Sequence, residues 1–261
     1  MFSEERREKI LEKVERLGRV LAKDLAEEYG VSIDSIRRDL SIMEEQGLLK
    51  RTHGGAIPNQ KSRNKPQPGS RRYGEGDVHQ IAIAKTAVHY IKEDETVFIG
   101  GSSIHYVMLK YLPKTIAFTV VTNSVELAYH LRGFTNIETY LIGGMMKASG
   151  NITDGLANEF ARQFTVDLHF ATAGGISSRG LSTATPEVAN FHKTIIANAR
   201  KNIVLMESFK IGVDLFAGVT SPLSKLDLVI TDDEAAEDKI EHLHSNGVKT
   251  IVADREDQCS I

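Results

Sequence analysis

The chain has 261 residues, 41% of them hydrophobic and 26% charged, a single cysteine (Cys259) and a formal net charge of −3. That length exceeds a typical single core and predicts two domains. One cysteine excludes a disulfide framework or a cysteine-based metal cluster within one chain, and no apolar run is long enough to suggest a membrane span.

The charge is unevenly spread. Residues 1–72 carry 16 Lys and Arg against 12 Asp and Glu, whereas the remainder carries 16 against 23. Residues 50–72 hold seven basic residues and no acid. A polyanion is the natural partner for the N-terminal part; a solvated basic linker is the bland alternative. The chain opens on alternating Glu and Arg rather than an apolar stretch, so a cytoplasmic location is expected.

In chain order, Ile10, Leu11, Val14 and Leu17 predict a first helix, capped near Ser3 and ended near Gly18. Leu21, Ala22, Leu25 and Ala26 predict a short second helix that stops at Gly30. Ser32 predicts the cap of a third, whose inner face is Ile36, Leu40 and Met43 and whose end is Gly47. Leu48 and Leu49 begin a short strand, and Arg51-Thr52-His53-Gly54-Gly55-Ala56 reads as a basic, glycine-kinked strand edge. Three helices and a hairpin, with a tight turn between helices two and three, is winged helix-turn-helix order, expected over residues 1–57.

At 100° per residue the third helix turns Asp34, Arg37, Arg38 and Ser41 outward. The arginine fork suits a guanine edge or a phosphate. The expected DNA contacts are Ser32, Asp34, Ser35, Arg37 and Arg38 on the helix, with Arg51, His53 and Gly54 in the wing. The competing reading is a surface ion pair between Asp34 and Arg38, worth about 0.2–0.5 kcal/mol.

Residues 58–75 read as a basic linker, with Pro58, Pro66 and Pro68 and almost no apolar content. From residue 76 to 261 the rhythm changes. Apolar runs at 96–99, 116–121, 139–142, 168–173, 203–206, 227–230 and 249–253 predict strands. Segments 78–92, 104–112, 124–132, 155–164, 186–199 and 233–246 predict helices between most of them. The alternation predicts an α/β domain with a parallel or mainly parallel sheet, covered on both faces.

Polar and glycine residues follow these strand runs directly: Gly100-Gly101-Ser102-Ser103, Thr122-Asn123-Ser124, Gly143-Gly144, Gly174-Gly175 and Glu207-Ser208-Phe209-Lys210. In a parallel sheet such positions share one edge, where ligands bind. The expected effector site is Gly101, Ser102, Ser103, Asn123, Gly144, Gly175, Glu187 and Lys210, with Lys210 supplying charge to a small phosphorylated or polyhydroxylated ligand. Taken one at a time, each has a plainer reading: tight turns for the glycines, a helix cap for Asn123, a solvated side chain for Lys210. Asp167 and Asp227 read as strand starts, and Asp232-Asp233 as the cap of the following helix. No nucleophile elbow, P-loop or G-x-G-x-x-G fingerprint is present, and the nine histidines show no HxxxH or HExxH pairing. No catalytic residue, metal site or cofactor is expected.

Over nearly its whole length the chain resembles bacterial transcriptional regulators of the DeoR family. The N-terminal resemblance rests on Arg6-Arg7, Ile10, Leu25, Val31-Ser32, Ile36-Arg37-Arg38-Asp39-Leu40, Gly47 and His53-Gly54-Gly55-Ala56. The C-terminal one rests on Val121-Thr122-Asn123-Ser124, Leu141-Ile142-Gly143-Gly144, Gly155, Gly175-Ile176, Gly180-Leu181-Ser182-Thr183, Glu187, Ser208-Phe209-Lys210-Ile211-Gly212 and Ile230-Thr231-Asp232. The resemblance implies a regulator of sugar catabolism, usually a repressor, released from double-stranded operator DNA by a phosphorylated sugar or related metabolite. It also implies a sensor domain similar in fold to ribose-5-phosphate isomerase, without its catalysis. Two places depart from the family pattern. The loop after the first sensor strand, usually Asp-x-Gly-Ser/Thr-Thr, is Gly100-Gly101-Ser102-Ser103-Ile104, and the usual Asp-x-Ser-Lys is Glu207-Ser208-Phe209-Lys210. The expected protein is therefore a homo-oligomer, dimer or tetramer, without enzymatic activity. The alternative is a sugar-phosphate isomerase fused to a DNA-binding module, against which the lack of a paired acid–base set weighs.

Overall fold

The computed structural model describes residues 3–46, 48–58, 73–218 and 223–254. The chain divides into two compact units, Met1–Ser62 and Arg63–Ile261. The stretch 59–72, most of the expected linker, lies outside the described residues, as do Gly47 and Cys259.

The first unit holds helices α1 (Ser3–Leu17), α2 (Ala22–Tyr29) and α3 (Ile33–Glu45) and strands β1 (Val20–Leu21), β2 (Leu49–Arg51) and β3 (Gly55–Pro58). The strands form an antiparallel sheet in the order β1-β3-β2. Gly30 ends α2 in the left-handed conformation at φ 62°, which a side chain would strain. Two residues later the Ser32 side chain accepts the Ser35 backbone N–H and starts α3. That short junction makes the turn between α2 and α3 tight. Ile10, Val14, Leu25, Ile36, Leu40, Met43 and Leu49 are buried together as the core. This is the expected winged helix-turn-helix, with one element the periodicity does not signal: two-residue β1, which pairs Val20 with Ala56.

The second unit contains one seven-stranded sheet and nearby helices. Its strands are β4 (Thr96–Ile99), β5 (Phe118–Thr122), β6 (Ile137–Leu141), β7 (Val166–Ala171), β10 (Ala199–Leu205), β11 (Leu228–Asp232) and β12 (Thr250–Ala253). All six pairings are parallel, and the order is β12-β11-β10-β7-β4-β5-β6. A separate hairpin, β8 (Gly175–Ser177) with β9 (Gly180–Ser182), stands between β7 and β10 in the chain. The helices are α4 (Val78–Val88), α5 (Ser103–Met108), α6 (Val125–Leu131), α7 (Gly155–Ala161), α8 (Pro186–Asn198) and α9 (Glu237–Ser245).

Strand residues alternate between two apolar layers, as the pleat demands. Val97 and Ile99 of β4, Ile203 and Leu205 of β10, and Leu228 and Ile230 of β11 share one layer with α4, α5 and α6. Phe98 points the other way, to α7 and α8, and Val204 and Val229 pack toward Ile196 of α8 and Leu243 of α9. The sheet is thus covered on both faces, and fully burying a side chain such as Phe170 contributes about 1.5–3 kcal/mol. The chain winds one way through β4, β5 and β6, then crosses back to β7 and winds the other way. The reversal falls between β4 and β7, and open α/β sheets bind ligands beyond the strand ends at such a point.

Candidate functional site

On the first unit, α3 buries Ile36, Asp39, Leu40 and Met43 and exposes Arg37 and Arg38. Asp39 had no expected role. Its carboxylate is buried and accepts Arg6 Nε at 2.7 Å, with Arg7 Nη1 at 3.5 Å, joining α3 to α1. Removing one partner of such a buried pair costs about 3–5 kcal/mol. The surface ion pair expected between Asp34 and Arg38 is not the one formed: Asp34 lies 3.3 Å from Arg37, one turn on at i,i+3. Among the described residues no hydrogen bond or ion pair holds the exposed Arg38 guanidinium.

The wing is the β2–β3 hairpin. Thr52 N–H donates to Gly55 O, and Ala22 N–H donates to Gly54 O. His53 is exposed at its tip. Arg51 donates to Ser41 Oγ at 3.1 Å, and its backbone N–H donates to Glu44 at 2.8 Å, so the wing is tied to the outward side of α3. Ser32 and Ser35 are hydrogen-bonded to each other at 2.9 Å at the start of α3.

On the second unit, the five loops expected at one edge do lie beyond the C-terminal ends of parallel strands, because every strand of the sheet runs the same way. Their hydrogen bonds fall into two groups. The first surrounds the segment from Gly144 to Asp154. Asn151 Nδ2 donates to Gly101 O at 2.9 Å, and Asn123 Nδ2 donates to Ile152 O at 2.9 Å. Ser102 caps α5 by accepting His105 N–H, with Ser103 the first residue of that helix. Glu187, near the start of α8, accepts Thr153 Oγ1 and Lys147 Nζ, both at 2.6 Å. Burial raises the Glu187 pKa, but the hydrogen bonds from Lys147 and Thr153 and the Lys147 charge outweigh it and hold the group below the usual carboxylate range. Gly101, Ser102, Ser103, Asn123, Gly144 and Glu187 are therefore one neighbourhood, and Lys147 is a cation in it that strand-end reasoning missed.

The second group holds Lys210 and Gly175. Lys210, in a 3-10 turn after β10, pairs with Glu207, to which Gln80 of α4 also donates at 3.0 Å. Glu207 is buried; burial pushes its pKa up, yet the Lys210 charge and the hydrogen bonds from Lys210 and Gln80 bring it below the ordinary value. No hydrogen bond among the described residues joins Lys210 to Ser102, Ser103 or Asn123. The glycines have protein neighbours. A Cβ at Gly101 would overlap Asn151, and one at Gly175 would overlap the Val213 carbonyl. Close backbone approach is real at both positions, and in this structure the approaching atoms belong to the protein.

Histidines at the reversal point carried no spacing signal. His105 of α5 is buried, and its Nε2 donates to Phe170 O of β7 at 2.9 Å, stitching the helix after β4 onto the neighbouring strand. His169 of β7 is buried and bonded to Asn202 Oδ1 at 2.9 Å. Burial pushes both imidazoles down to about 3, so both are neutral at physiological pH. The expected cap role of Asp232-Asp233 is not found either: α9 starts only at Glu237, and Asp232 instead accepts the Ser208 and Glu234 backbone N–H groups.

A winged helix-turn-helix with two adjacent exposed arginines on its third helix, in one chain with a doubly wound α/β unit, defines the class of two-domain DNA-binding regulators. Comparison with known proteins narrows it. A family described as the DeoR-like helix-turn-helix domain matches residues 6–62, and the DeoR C terminal sensor domain matches residues 78–233. The chain belongs to the DeoR family of transcriptional regulators; it is a DNA-binding regulator and not an enzyme. It is 30% identical to the HTH-type transcriptional repressor GlcR of Bacillus subtilis, over 98% of this chain and 99% of that protein. It is 29% identical to the HTH-type transcriptional regulator GolR of Listeria innocua, over 90% and 92%. It is 26% identical to the lactose phosphotransferase system repressor of Staphylococcus epidermidis, over 90% and 94%. Among solved structures, ribose 5-phosphate isomerase A from Methanocaldococcus jannaschii matches 53% of this chain and 54% of its own, with 16% identity and a TM-score of 0.37. No helix among the described residues is long and apolar enough to cross a membrane.

Proposed function

We propose that this protein represses a sugar-catabolism operon, and that a phosphorylated sugar or related metabolite controls its affinity for double-stranded operator DNA. In this reading α3 enters the major groove with Arg38 on a base edge. Arg37, Ser32, Ser35 and the wing residues Arg51, His53 and Gly54 contact phosphates or flank the groove. The observation that carries the DNA half is the exposed Arg38 guanidinium, held by no group among the described residues, beside a wing anchored to the same helix.

The effector half rests on the polar loops at the β4–β7 reversal. Ser102, Ser103 and Asn123 supply donors there, and Lys147 and Lys210 are cations on the flanking segments, each now neutralised by one glutamate. An arriving phosphate would compete for those lysines, and charge-assisted bonds are the ones strong enough to win such an exchange. The names of the relatives, a lactose phosphotransferase system repressor among them, agree with a sugar-derived ligand. Gly100 and Phe209, where the chain departs from its family, alter the shape and polarity of this edge, so the ligand differs from the simplest sugar phosphates. A thermal-shift panel of pentose and hexose phosphates tests the effector half. A specific ligand at 100 times its Kd raises stability by about 2.7 kcal/mol. A panel in which nothing shifts would overturn the effector half.

A further inference from the structure

His79 lies in the first turn of α4, and its ring is wholly buried. Among the described residues neither ring nitrogen has a hydrogen-bond partner, a costly arrangement for a buried imidazole. Yet three carboxylates surround the ring. Asp232 Oδ1 lies 3.6 Å and Asp233 Oδ1 3.4 Å from Nδ1, while Glu234 Oε1 lies 3.5 Å from Nε2 on the far side. Charge-assisted hydrogen bonds to an imidazolium would draw these oxygens in to about 2.7–2.9 Å. They stand off instead. Ligands about 2.0–2.2 Å from one tetrahedral ion lie about 3.3–3.6 Å from each other, which is the spacing seen at Nδ1.

We propose that His79 Nδ1, Asp232 and Asp233 bind a divalent transition-metal ion of the zinc class, with Glu234 holding the opposite ring nitrogen. The three ligand atoms lie within 4.8 Å of one another. A neutral imidazole and two carboxylates form a nitrogen–oxygen donor set that suits such an ion and leaves a coordination position for water. The outer shell is built as metal sites require. Glu234 Oε1 faces Nε2 at 3.5 Å and, drawn in when the ion binds, would accept its N–H and fix the tautomer that turns the Nδ1 lone pair toward the ion. Ser208 N–H on Asp232 Oδ2, at 2.8 Å, and Glu234 N–H on Oδ1, at 3.2 Å, orient the Asp232 carboxylate. Asp233 is partly exposed and gives the ion its entry path. The bound ion clamps the first turn of α4 to the C-terminal end of β11. Through Ser208 it also steadies the 3-10 turn that carries Lys210.

The test uses the full chain without an affinity tag, stripped by chelator and titrated with CoCl2. Visible absorption of the bound ion is the readout, with ZnCl2 and MgCl2 as competitors. One ion per chain is expected, displaced by zinc and not by magnesium. Asp233→Asn alters a partly exposed ligand and should weaken binding at least tenfold, and Glu234→Gln, a change outside the ligands, by about 10–100-fold. A double variant, His242→Gln with His244→Gln on α9, should bind as wild type does. Absence of cobalt uptake, binding insensitive to both carboxylate variants, or loss of binding in the α9 double variant would each overturn the proposal.

Discussion

Arg37 and Arg38 are neighbours in sequence and opposites in situation. Arg37 is drawn to Asp34, while among the described residues no side chain holds Arg38, which projects from α3. An exposed pair of this kind contributes about 0–1 kcal/mol, so Arg37 is only weakly restrained and remains able to reach a phosphate. In the proposed complex Arg38 is the side chain that reads sequence. Arg38→Ala should cost about 1–3 kcal/mol on the cognate operator and much less on random duplex, measured by fluorescence anisotropy at fixed salt. Equal losses on both duplexes would make Arg38 a phosphate contact. At the same scale, Asp39 illustrates what periodicity hides. It follows two exposed arginines and carries a charge, so it looks like more surface, but its angular position places it against α1, where Arg6 and Arg7 neutralise it.

Elements with a strong apolar signature were legible in the sequence. β4 occupies the residues its apolar run marks, and Gly30, Ser32 and the Ile36-Leu40-Met43 stripe define α3 because cap chemistry and period agree. β10 begins at Ala199, ahead of its apolar run, because Ala199 and Lys201 pair with β7 through the backbone and the exposed Arg200 side chain reaches Asp167 of the same strand at 3.4 Å. The β8–β9 hairpin was illegible. One buried aliphatic in each short strand, Ile176 and Leu181, amid glycine and serine makes no period. The grouping of His79 with Asp232 and Asp233 was illegible for a different reason: the partners come from opposite ends of the domain and meet only when α4 packs on β11.

The histidine stitches between α5, β7 and β10 lead to a prediction on pH. The unfolded chain protonates His105 and His169 near 6.5, whereas the folded chain resists until about 3. Their neutral burial therefore leaves stability intact above pH 6.5 and drains it as pH falls toward 3. Well below 6.5 the loss is about 1.4 kcal/mol per pH unit for each histidine. Urea unfolding between pH 7.5 and 5 should record the slope, and His169→Gln, which retains an amide for Asn202, should make it shallower. A slope that the substitution leaves unchanged would contradict this account.

At the scale of the whole molecule, one edge of the sensor sheet is unusually apolar. Tyr140 and Leu141 of edge strand β6 and Leu156 and Phe160 of α7 are exposed, and Phe164 packs against both Tyr140 and Phe160. Edge strands with apolar neighbours favour association, and the expectation of a homo-oligomer predicts that a second copy of the chain covers this edge. Phe160→Lys should lower the mass measured by light scattering toward that of one chain while leaving the circular dichroism of the fold intact. An unchanged mass would move the interface elsewhere. The central claim is that a phosphorylated sugar sets DNA affinity, and titration of operator DNA with the full-length protein, with and without each sugar phosphate, tests it most directly. At least one compound should weaken operator binding tenfold or more. Lys210→Ala should bind operator normally but lose about 1.5–3 kcal/mol of effector affinity, the value of a charged hydrogen bond. Operator affinity indifferent to every sugar phosphate, in a protein that binds its operator tightly, would contradict the account.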